Sequence, residues 1–172
     1  MKSGRRRTAD DLLKARAVNW PEAVSPITHL MVRIFRFSTL VRDNATRRVA
    51  AHELTFTEFE VLVTLRSAPP PHELAPTDLY TAVLITSGGL TKVLYALEDR
   101  KLVTRGEGGA DRRSKPVRLT AKGRVLAERV MADVMRSDEA LVANGLSDTE
   151  VERLTKLLCK LLARLEPGGS DA

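Results

Sequence analysis

Cysteine and aromatic residues are scarce in this sequence, and their scarcity limits what the protein can be. The 172 residues include one cysteine, Cys159, which excludes a disulfide within the chain and a zinc site with several cysteine ligands. We expect Cys159 to be a small buried hydrophobe on an apolar helix. Aromatic residues make up 4% of the chain and hydrophobic residues 43%, so the core must be aliphatic. Such a core favours helices.

Long apolar runs are also absent. No segment approaches the roughly 20 consecutive apolar residues that are needed to cross a bilayer. The basic N-terminus MKSGRRR is followed by Ala9-Asp10-Asp11 rather than by an apolar stretch, which is not the pattern of a signal peptide. The sequence therefore predicts no contact with membranes, and a reducing cytoplasm is the location that we expect.

Residue patterns that carry catalysis are missing as well. The three histidines lack HExxH spacing, no serine elbow is present, and no Gly-Lys-Ser/Thr phosphate loop occurs. Arg105-x-x-Gly108-x-Ala110 fits a loose acyl-CoA-binding pattern of acetyltransferases, but that pattern needs a helix directly after it. Here the residues from Asp111 to Pro116 are typical of a hairpin. We predict a protein that is not an enzyme and has no cofactor or metal, with an acetyltransferase as the alternative.

Positive charge is abundant and unevenly distributed. The chain has 28 Lys and Arg against 22 Asp and Glu, a formal net charge of +6. Residues 86–118 hold eight basic and four acidic residues, whereas residues 133–172 hold five basic and eight acidic residues. This separation indicates one surface for a polyanion and another surface for a different purpose.

Helical patterns begin early in the chain. A short helix is predicted from Asp10 to Val18, with Leu12, Leu13 and Ala17 facing inward. A longer helix is predicted to start near Ser25, with a proline in its first turn where the missing N–H costs nothing. Its apolar positions follow helical spacing: Ile27, Leu30, Met31, Ile34, Phe37 and Val41.

Two capping-box patterns mark further helix starts, at Thr55 with Glu58 and at Ser147 with Glu150. The helix opened by Ser147 has a broad apolar face, which is too wide for a surface helix on a small lobe. We expect this face to pack against another subunit, with a core within the chain as the alternative. The face consists of Val151, Leu154, Leu157, Leu158, Leu161, Leu162 and Leu165.

The middle of the chain predicts a helix-turn-helix followed by a hairpin. A short helix from Thr77 to Val83 leads by a tight turn into a helix after Ser87, whose inward stripe is Leu90, Val93, Leu94 and Leu97. Strands are predicted for 103–107 and 115–119, and Pro116 should confine its strand to the edge of a sheet. A long helix from 121 to 142 follows, ended by Gly145.

Several short motifs occur along these elements: Leu54-Thr55 with Glu58-Phe59 and Val61-Leu62, Pro76-Thr77 with Leu79, Ser87-Gly-Gly-Leu-Thr91, Leu97-Glu98 with Leu102-Val103, Asp111-x-Arg113, and Val117-x-Leu119-Thr120-x-x-Gly123. With these motifs and in this order, the elements resemble the MarR family of bacterial winged-helix transcription regulators over about residues 25–166. Lys101 stands where that family usually has a glycine, and we expect it to adopt the left-handed conformation at a modest cost.

The resemblance implies a mainly α fold with a small β-wing, that is, a winged helix-turn-helix lobe and a helical dimerisation region. It also implies a homodimer that binds a palindromic operator in double-stranded DNA. The expected division is an N-terminal tail with a short extra helix (1–24), a dimerisation helix (25–53), the DNA-binding lobe (54–120), C-terminal dimerisation helices (121–167) and a tail (168–172).

The residues expected to contact DNA lie on the helix after Ser87 and on the wing. Opposite the leucine stripe, the exposed side of the helix should present Ser87, Gly88, Thr91, Lys92 and Tyr95. The wing should contribute Arg112, Arg113 and Lys115, with Asp111 orienting an arginine. The alternative is that these are ordinary solvated residues and that Asp111 only keeps its loop soluble.

Regulators that this chain resembles respond to a small molecule, often anionic or aromatic, between the dimerisation helices and the DNA-binding lobe. The extra N-terminal helix and Trp20 are similar to the urate-responsive branch, but Glu60 and the lack of arginine at 93–96 depart from its pattern. Urate is therefore not expected, and neither is peroxide sensing, because no cysteine lies near the first long helix. The predicted pocket consists of Trp20, His29, Arg33 and Glu60. The alternative for Trp20 is a position in the core. The alternative for the function of the whole chain is a non-catalytic protein-interaction module.

Overall fold

The computed structural model describes residues 7–83, 87–106 and 115–166, with the backbone only for residues 87 and 88. Within these ranges the fold is mainly α with a small antiparallel sheet, which confirms the predicted winged helix-turn-helix class. A single 3₁₀ turn, Pro21–Ala23, separates the first two helices. The elements are α1 (Ala9–Asn19), α2 (Pro26–Ala50), α3 (Phe56–Ser67), β1 (Glu73–Leu74), α4 (Pro76–Val83), α5 (Ser87–Asp99), β2 (Val103–Arg105), β3 (Val117–Leu119), α6 (Ala121–Ala143) and α7 (Asp148–Leu162).

Side chains cap several of these helices where the sequence predicts a start. The Thr55 N–H donates to the Glu58 carboxylate (2.7 Å), and the Glu58 N–H donates back to the threonine hydroxyl (3.2 Å). At α7, the Glu150 carboxylate accepts from the Ser147 N–H (2.9 Å) and hydroxyl (2.7 Å). Helix α2 begins at Pro26 with Ser25 as its cap, as predicted. Each such cap contributes about 1 kcal/mol to stability.

The sheet differs from the predicted hairpin. Its strand order is β1-β3-β2, so β3 is the central strand and the prediction that Pro116 confines it to an edge is wrong. The proline lies just before the strand: β1 pairs with β3 only at Leu74 with Val117 and at Glu73 with Arg118, so no ladder bond needs the missing N–H. The described strands are also shorter than predicted, Val103–Arg105 and Val117–Leu119.

The core lies in the lobe formed by α3, α4, α5, the sheet and the first half of α6. On α5 the predicted stripe faces this core, since Leu90, Leu94 and Leu97 are buried and Val93 is half-buried. Helix α3 contributes Val61, Leu62 and Leu65 to the same core. The largest fully buried side chains are Leu62, Leu65, Leu79, Leu97, Leu102, Val49, Val61, Val103, Val117 and Val130.

Outside this lobe, large apolar side chains remain uncovered. No residue of α7 is buried, so the alternative that its leucine face forms a core within the chain is wrong. Cys159 on this helix is exposed in the single chain, contrary to expectation. On α1 only Leu13 is buried, whereas Leu12 and Ala17 are exposed, so the prediction that these two residues also face inward is wrong for the single chain.

The first half of α2 is uncovered in the same way, with Ile27, Leu30 and Phe37 each at least 48% exposed. A stripe of this width would be stable only against another apolar surface. None of the helices in the described ranges has an apolar run that could span a bilayer.

Candidate nucleic-acid interface

Helix α5 ends in a Schellman motif that holds its orientation. The Leu102 N–H donates to the Leu97 carbonyl and the Lys101 N–H to the Glu98 carbonyl, both at 2.9 Å. Lys101 has φ of 59°, the left-handed conformation that such a motif requires and that glycine usually supplies. The expectation that this lysine adopts the conformation is confirmed.

The polar side of α5 faces away from the core. Thr91, Lys92 and Tyr95 are all exposed, and the tyrosine side chain is 49% exposed. They lie opposite the buried leucine stripe, as the 3.6-residue period requires. Ser87 is the first residue of the helix, but the side chains of residues 87 and 88 lie outside the described part. Three of the five predicted positions on this helix therefore form one exposed face.

The wing is the segment formed by β2, β3 and the residues between them. Its predicted contact residues Asp111, Arg112 and Arg113 lie outside the described residues, and their roles stay predictions. Lys115 is described and half-buried. At the base of the wing, the Gly106 N–H donates to the Pro116 carbonyl at 2.8 Å and holds the two chain segments together.

Several bases in this region are engaged with acids of the same lobe. Six of the eight basic residues in 86–118 are described, and three of these six form ion pairs, so the local net charge overstates the positive charge that is presented to a partner. Lys92 and Lys101 are exposed. The ion pairs are Arg100 with Glu58 (3.7 Å), Arg105 with Glu98 (3.5 Å) and Arg118 with Glu73 (2.7 Å).

Arg105 was not predicted as part of the site. Its guanidinium carbon lies 5.2 Å from the centre of the Tyr95 ring, which places a cation against one face of the tyrosine. The contact joins the end of β2 to the outer face of α5. Sequence spacing carries no signal for it, because the two residues belong to different elements.

Arg100 joins the end of α5 to two other parts of the fold. Its guanidinium donates to the Glu53 carbonyl at 2.8 Å, in the turn between α2 and α3. From the other side, the Lys122 ammonium on α6 donates to the Arg100 carbonyl at 2.9 Å. The C-terminus of α5 is thus fixed to both α6 and the α2–α3 turn.

A cleft of about 470 Å³ lies beside this junction. Its lining carries three cationic side chains and a histidine but one carboxylate, which favours an anionic occupant. Asp133 lies near the histidine: the His52 ring contacts its carboxylate at 3.2 Å, and this hydrogen bond, with a further one from Arg136, lowers the pKa of Asp133. The lining residues are His52, Glu53, Arg100, Leu102, Lys122, Val125, Leu126 and Arg129.

The predicted ligand residues are not all brought together in one chain. His29 and Arg33 lie one turn apart on α2, and the arginine donates to the His29 carbonyl at 3.1 Å and to Asp10 at 2.7 Å. Trp20 follows α1 and is 64% exposed, which excludes the core alternative for this side chain in the single chain.

Glu60 lies on α3, near a different part of α2. Partial burial raises the pKa of its carboxyl group, and the positive charge of Arg42 opposes that shift. Arg42 is nine residues beyond Arg33, about 13 Å along the helix axis. Within one chain, Glu60 is therefore separated from the other three residues, and the pocket stays a prediction.

Comparison with known proteins gives one consistent result. A sequence model of the MarR family matches residues 52–114. The MarR family protein Rv2887 of Mycobacterium tuberculosis, solved in complex with p-aminosalicylic acid, is 29% identical, with 80% of this chain and 98% of that chain covered and a TM-score of 0.62.

Two further solved structures are similar over most of the chain. Rv2887 in complex with DNA is 27% identical, with 80% and 98% of the two chains covered and a TM-score of 0.63. MepR, a transcription regulator of the Staphylococcus aureus multidrug efflux pump MepA, is 25% identical, with 77% and 96% covered and a TM-score of 0.62.

Proposed function

The chain belongs to the MarR family of DNA-binding transcription regulators, and from this premise we propose that it is a homodimeric repressor that a small ligand releases from a palindromic operator. Members of this family are transcription regulators and not enzymes, so the acetyltransferase alternative is dropped. The observation that carries the proposal is the exposed face of Thr91, Lys92 and Tyr95 on a helix whose other side is anchored in the core. Such a regulator acts in the cytoplasm, where bacterial DNA lies.

Dimerisation is proposed through the helical region at both ends of the chain, 25–53 and 121–167. The support is the uncovered apolar surface: Leu157 and Leu165 of the C-terminal region are 66% and 68% exposed, and Ile27 on α2 is 66% exposed. Fully burying one such side chain contributes about 1.5–3 kcal/mol, so burial of many of them from both subunits would offset the association cost of about 4–15 kcal/mol. Light scattering on the purified protein should give the mass of two chains, and a single-chain mass at micromolar concentration would contradict the proposal.

DNA contact is proposed through the lobe of residues 54–120. Helix α5 would lie in the major groove with Ser87 and Gly88 at its positive N-terminal end and Tyr95 near base edges. The wing would reach the adjacent minor groove with Arg112 and Arg113, with Asp111 as the wing's internal partner. Two lobes related by a two-fold axis would read half-sites about one helical turn apart.

A salt titration tests this placement. Lys92→Met should lower the slope of log K against log salt by about 0.9, because one phosphate contact is lost. Affinity would be measured on a palindromic duplex selected from a random pool and on unrelated DNA, and both should weaken alike. Lys156→Met removes an exposed charge of α7 and should leave the slope unchanged. An unchanged slope for Lys92→Met would refute the contact; the same logic applies to Arg113→Ala in the wing.

The effector is proposed to be a small anionic aromatic molecule. Two observations support this class: Rv2887 was solved with p-aminosalicylic acid, and cationic groups line the junction between the helical region and the lobe. We retain Trp20, His29, Arg33 and Glu60 as the proposed contacts, with the pocket completed by the second subunit.

Release of DNA by salicylate tests the effector and its location, with benzamide as the uncharged control. Arg33→Met should abolish release if the proposed pocket is used. If Arg129→Met abolishes release and Arg33→Met does not, the effector binds in the cleft beside Arg100 and not in the proposed pocket. The protein-interaction alternative predicts no release, and no difference in affinity between random and palindromic duplexes.

A further inference from the structure

We propose that Arg105, at the base of the wing, is a positioning residue that orients Tyr95 for sequence discrimination. This inference rests on the proposed contact between α5 and the operator, and it assigns to Arg105 a role that differs from phosphate binding. The arginine would act through the tyrosine ring and would not touch DNA itself.

The backbone of Arg105 is fixed from two sides. It is the last residue of β2 and pairs with Val117 of the central strand. The next residue, Gly106, donates its N–H to the Pro116 carbonyl at 2.8 Å. Val103, two residues earlier in the strand, is fully buried. The Arg105 side chain therefore extends from a fixed backbone position and not from a free loop.

The side chain of Arg105 contacts two residues on the same face of α5. Its guanidinium carbon lies 5.2 Å from the centre of the Tyr95 ring, and its Nε lies 3.5 Å from the Glu98 carboxylate. Tyr95 and Glu98 are three positions apart and are neighbours on the helix surface. The carboxylate holds the cation in place, and the cation in turn supports one face of the tyrosine ring.

This arrangement leaves the tyrosine partly accessible while it restricts its orientation. The Tyr95 side chain is 49% exposed, so a free ring at this position would sample several rotamers. Contact of one face with the guanidinium should hold the ring in one orientation, in which its remaining exposed surface is available to a partner. A preoriented aromatic residue discriminates between base edges better than a mobile one, because it cannot turn to fit a different base edge, and it also needs less ordering on binding.

Burial separates this role from that of an ordinary DNA-binding arginine. The Arg105 side chain is 11% exposed, compared with 53% for Arg118 in the neighbouring strand. A cation that is already paired and largely withdrawn from solvent releases few counterions when DNA binds. Its loss should therefore change sequence preference while leaving the salt dependence of binding unchanged.

The test compares Arg105→Met, Arg105→Lys and Tyr95→Leu in the full-length protein. For each, affinity is measured on a selected operator and on duplexes with single base-pair changes near the α5 half-site, at several salt concentrations. Arg105→Met should reduce the preference for the operator by about tenfold at one or two base pairs, with the salt slope within 0.3 of the unmodified protein. Arg105→Lys, which keeps the cation, should recover part of the preference.

Arg118→Met is the matched control, since it breaks the exposed Arg118–Glu73 pair in the same sheet and should leave base preference intact. Tyr95→Leu should lose the same preference at the same base pairs, and the double variant should lose no more than either single variant. Tyr95→Leu keeps Arg105, so an unchanged preference in this variant would refute the inference even if Arg105→Met does not fold.

Three outcomes would overturn the inference: unchanged preference in Arg105→Met or Tyr95→Leu, additive losses in the double variant, or a slope reduced by about one unit in Arg105→Met. Failure of the proposed function looks different, because the unmodified protein would then show no preference for any duplex.

Discussion

Gly123 in the first turn of α6 is the position where one added methyl group should matter most. A Cβ atom there would lie 2.0 Å from the Leu102 carbonyl oxygen and 3.0 Å from the Leu119 side chain. The oxygen belongs to the backbone just after α5, so it cannot rotate away as a flexible side chain would. Gly123→Ala must therefore separate α6 from the end of α5 or distort both.

The cost can be worked out from the contacts that this separation breaks. The Leu102 carbonyl accepts from the Thr120 N–H (3.1 Å) and hydroxyl (3.0 Å), and the Thr120 hydroxyl accepts from the Gly123 N–H (2.9 Å). Losing two of these bonds costs about 2 kcal/mol, and overpacking adds about 1–3 kcal/mol. Replacing glycine by alanine in a helix returns about 1 kcal/mol. The expected net loss is about 3 kcal/mol.

Thermal unfolding followed by circular dichroism measures this loss. For a chain of this length, about 3 kcal/mol lowers Tm by roughly 6–12 °C. Gly145→Ala is the control, because the nearest atom to its added Cβ, the Val142 carbonyl oxygen, is 3.9 Å away. Both variants are compared at one protein concentration, since assembly would shift Tm. If Gly123→Ala unfolds within about 2 °C of the unmodified protein, the reasoning from the close approach is wrong.

Two further predictions concern backbone strain and pH. Lys101→Gly should raise the free energy of unfolding by about 0.5–1 kcal/mol in a urea titration, because relief of the left-handed strain exceeds the entropy gained by the unfolded chain; a loss of stability would show that the lysine side chain stabilises the fold. The lowered pKa of Asp133 means that the folded protein binds fewer protons than the unfolded chain, so this contribution is present above about pH 4 and is lost as the pH falls further. Asp133→Asn should therefore flatten the decline of stability below about pH 4, and an unchanged decline would exclude this carboxylate as its source.

Local rules predicted much of the helical architecture. The capping boxes at Thr55 and Ser147 depend on residues three positions apart, and the leucine stripe of α5 depends on a single helical period. Such signals need no knowledge of the rest of the fold. The left-handed conformation of Lys101 was expected from the resemblance, because the family usually has a glycine at this position, and the Schellman motif that ends α5 requires one left-handed residue there.

The errors come from long-range pairing. Strand β1 has two residues, Glu73 and Leu74, too few for a pattern, and without it β3 would have been an edge strand. The sequence also did not show whether the apolar faces are buried within the chain. A broad apolar stripe on α7 has the same residue pattern whether it is covered by the same chain or left exposed.

For the candidate site, too, the local feature was predictable from the sequence and the contact between distant residues was not. The exposed face of α5 follows from its buried stripe, whereas Arg105 comes next to Tyr95 only through the folding of β2 against the helix. The sequence offered no measure of how far Glu60 lies from His29 and Arg33 along α2 in one chain, so the predicted pocket of these residues and Trp20 stays a prediction.

The hydrogen bonds of Arg100 limit how α5 can move relative to the rest of the fold. Because α6 holds its carbonyl and the α2–α3 turn holds its guanidinium, the end of α5 has no independent pivot at this point. A hinge that opened between α6 and that turn would have to break one of the two hydrogen bonds first. Small displacements of the long helices should therefore change the orientation of α5 directly, because the two hydrogen bonds allow little independent movement at its C-terminal end.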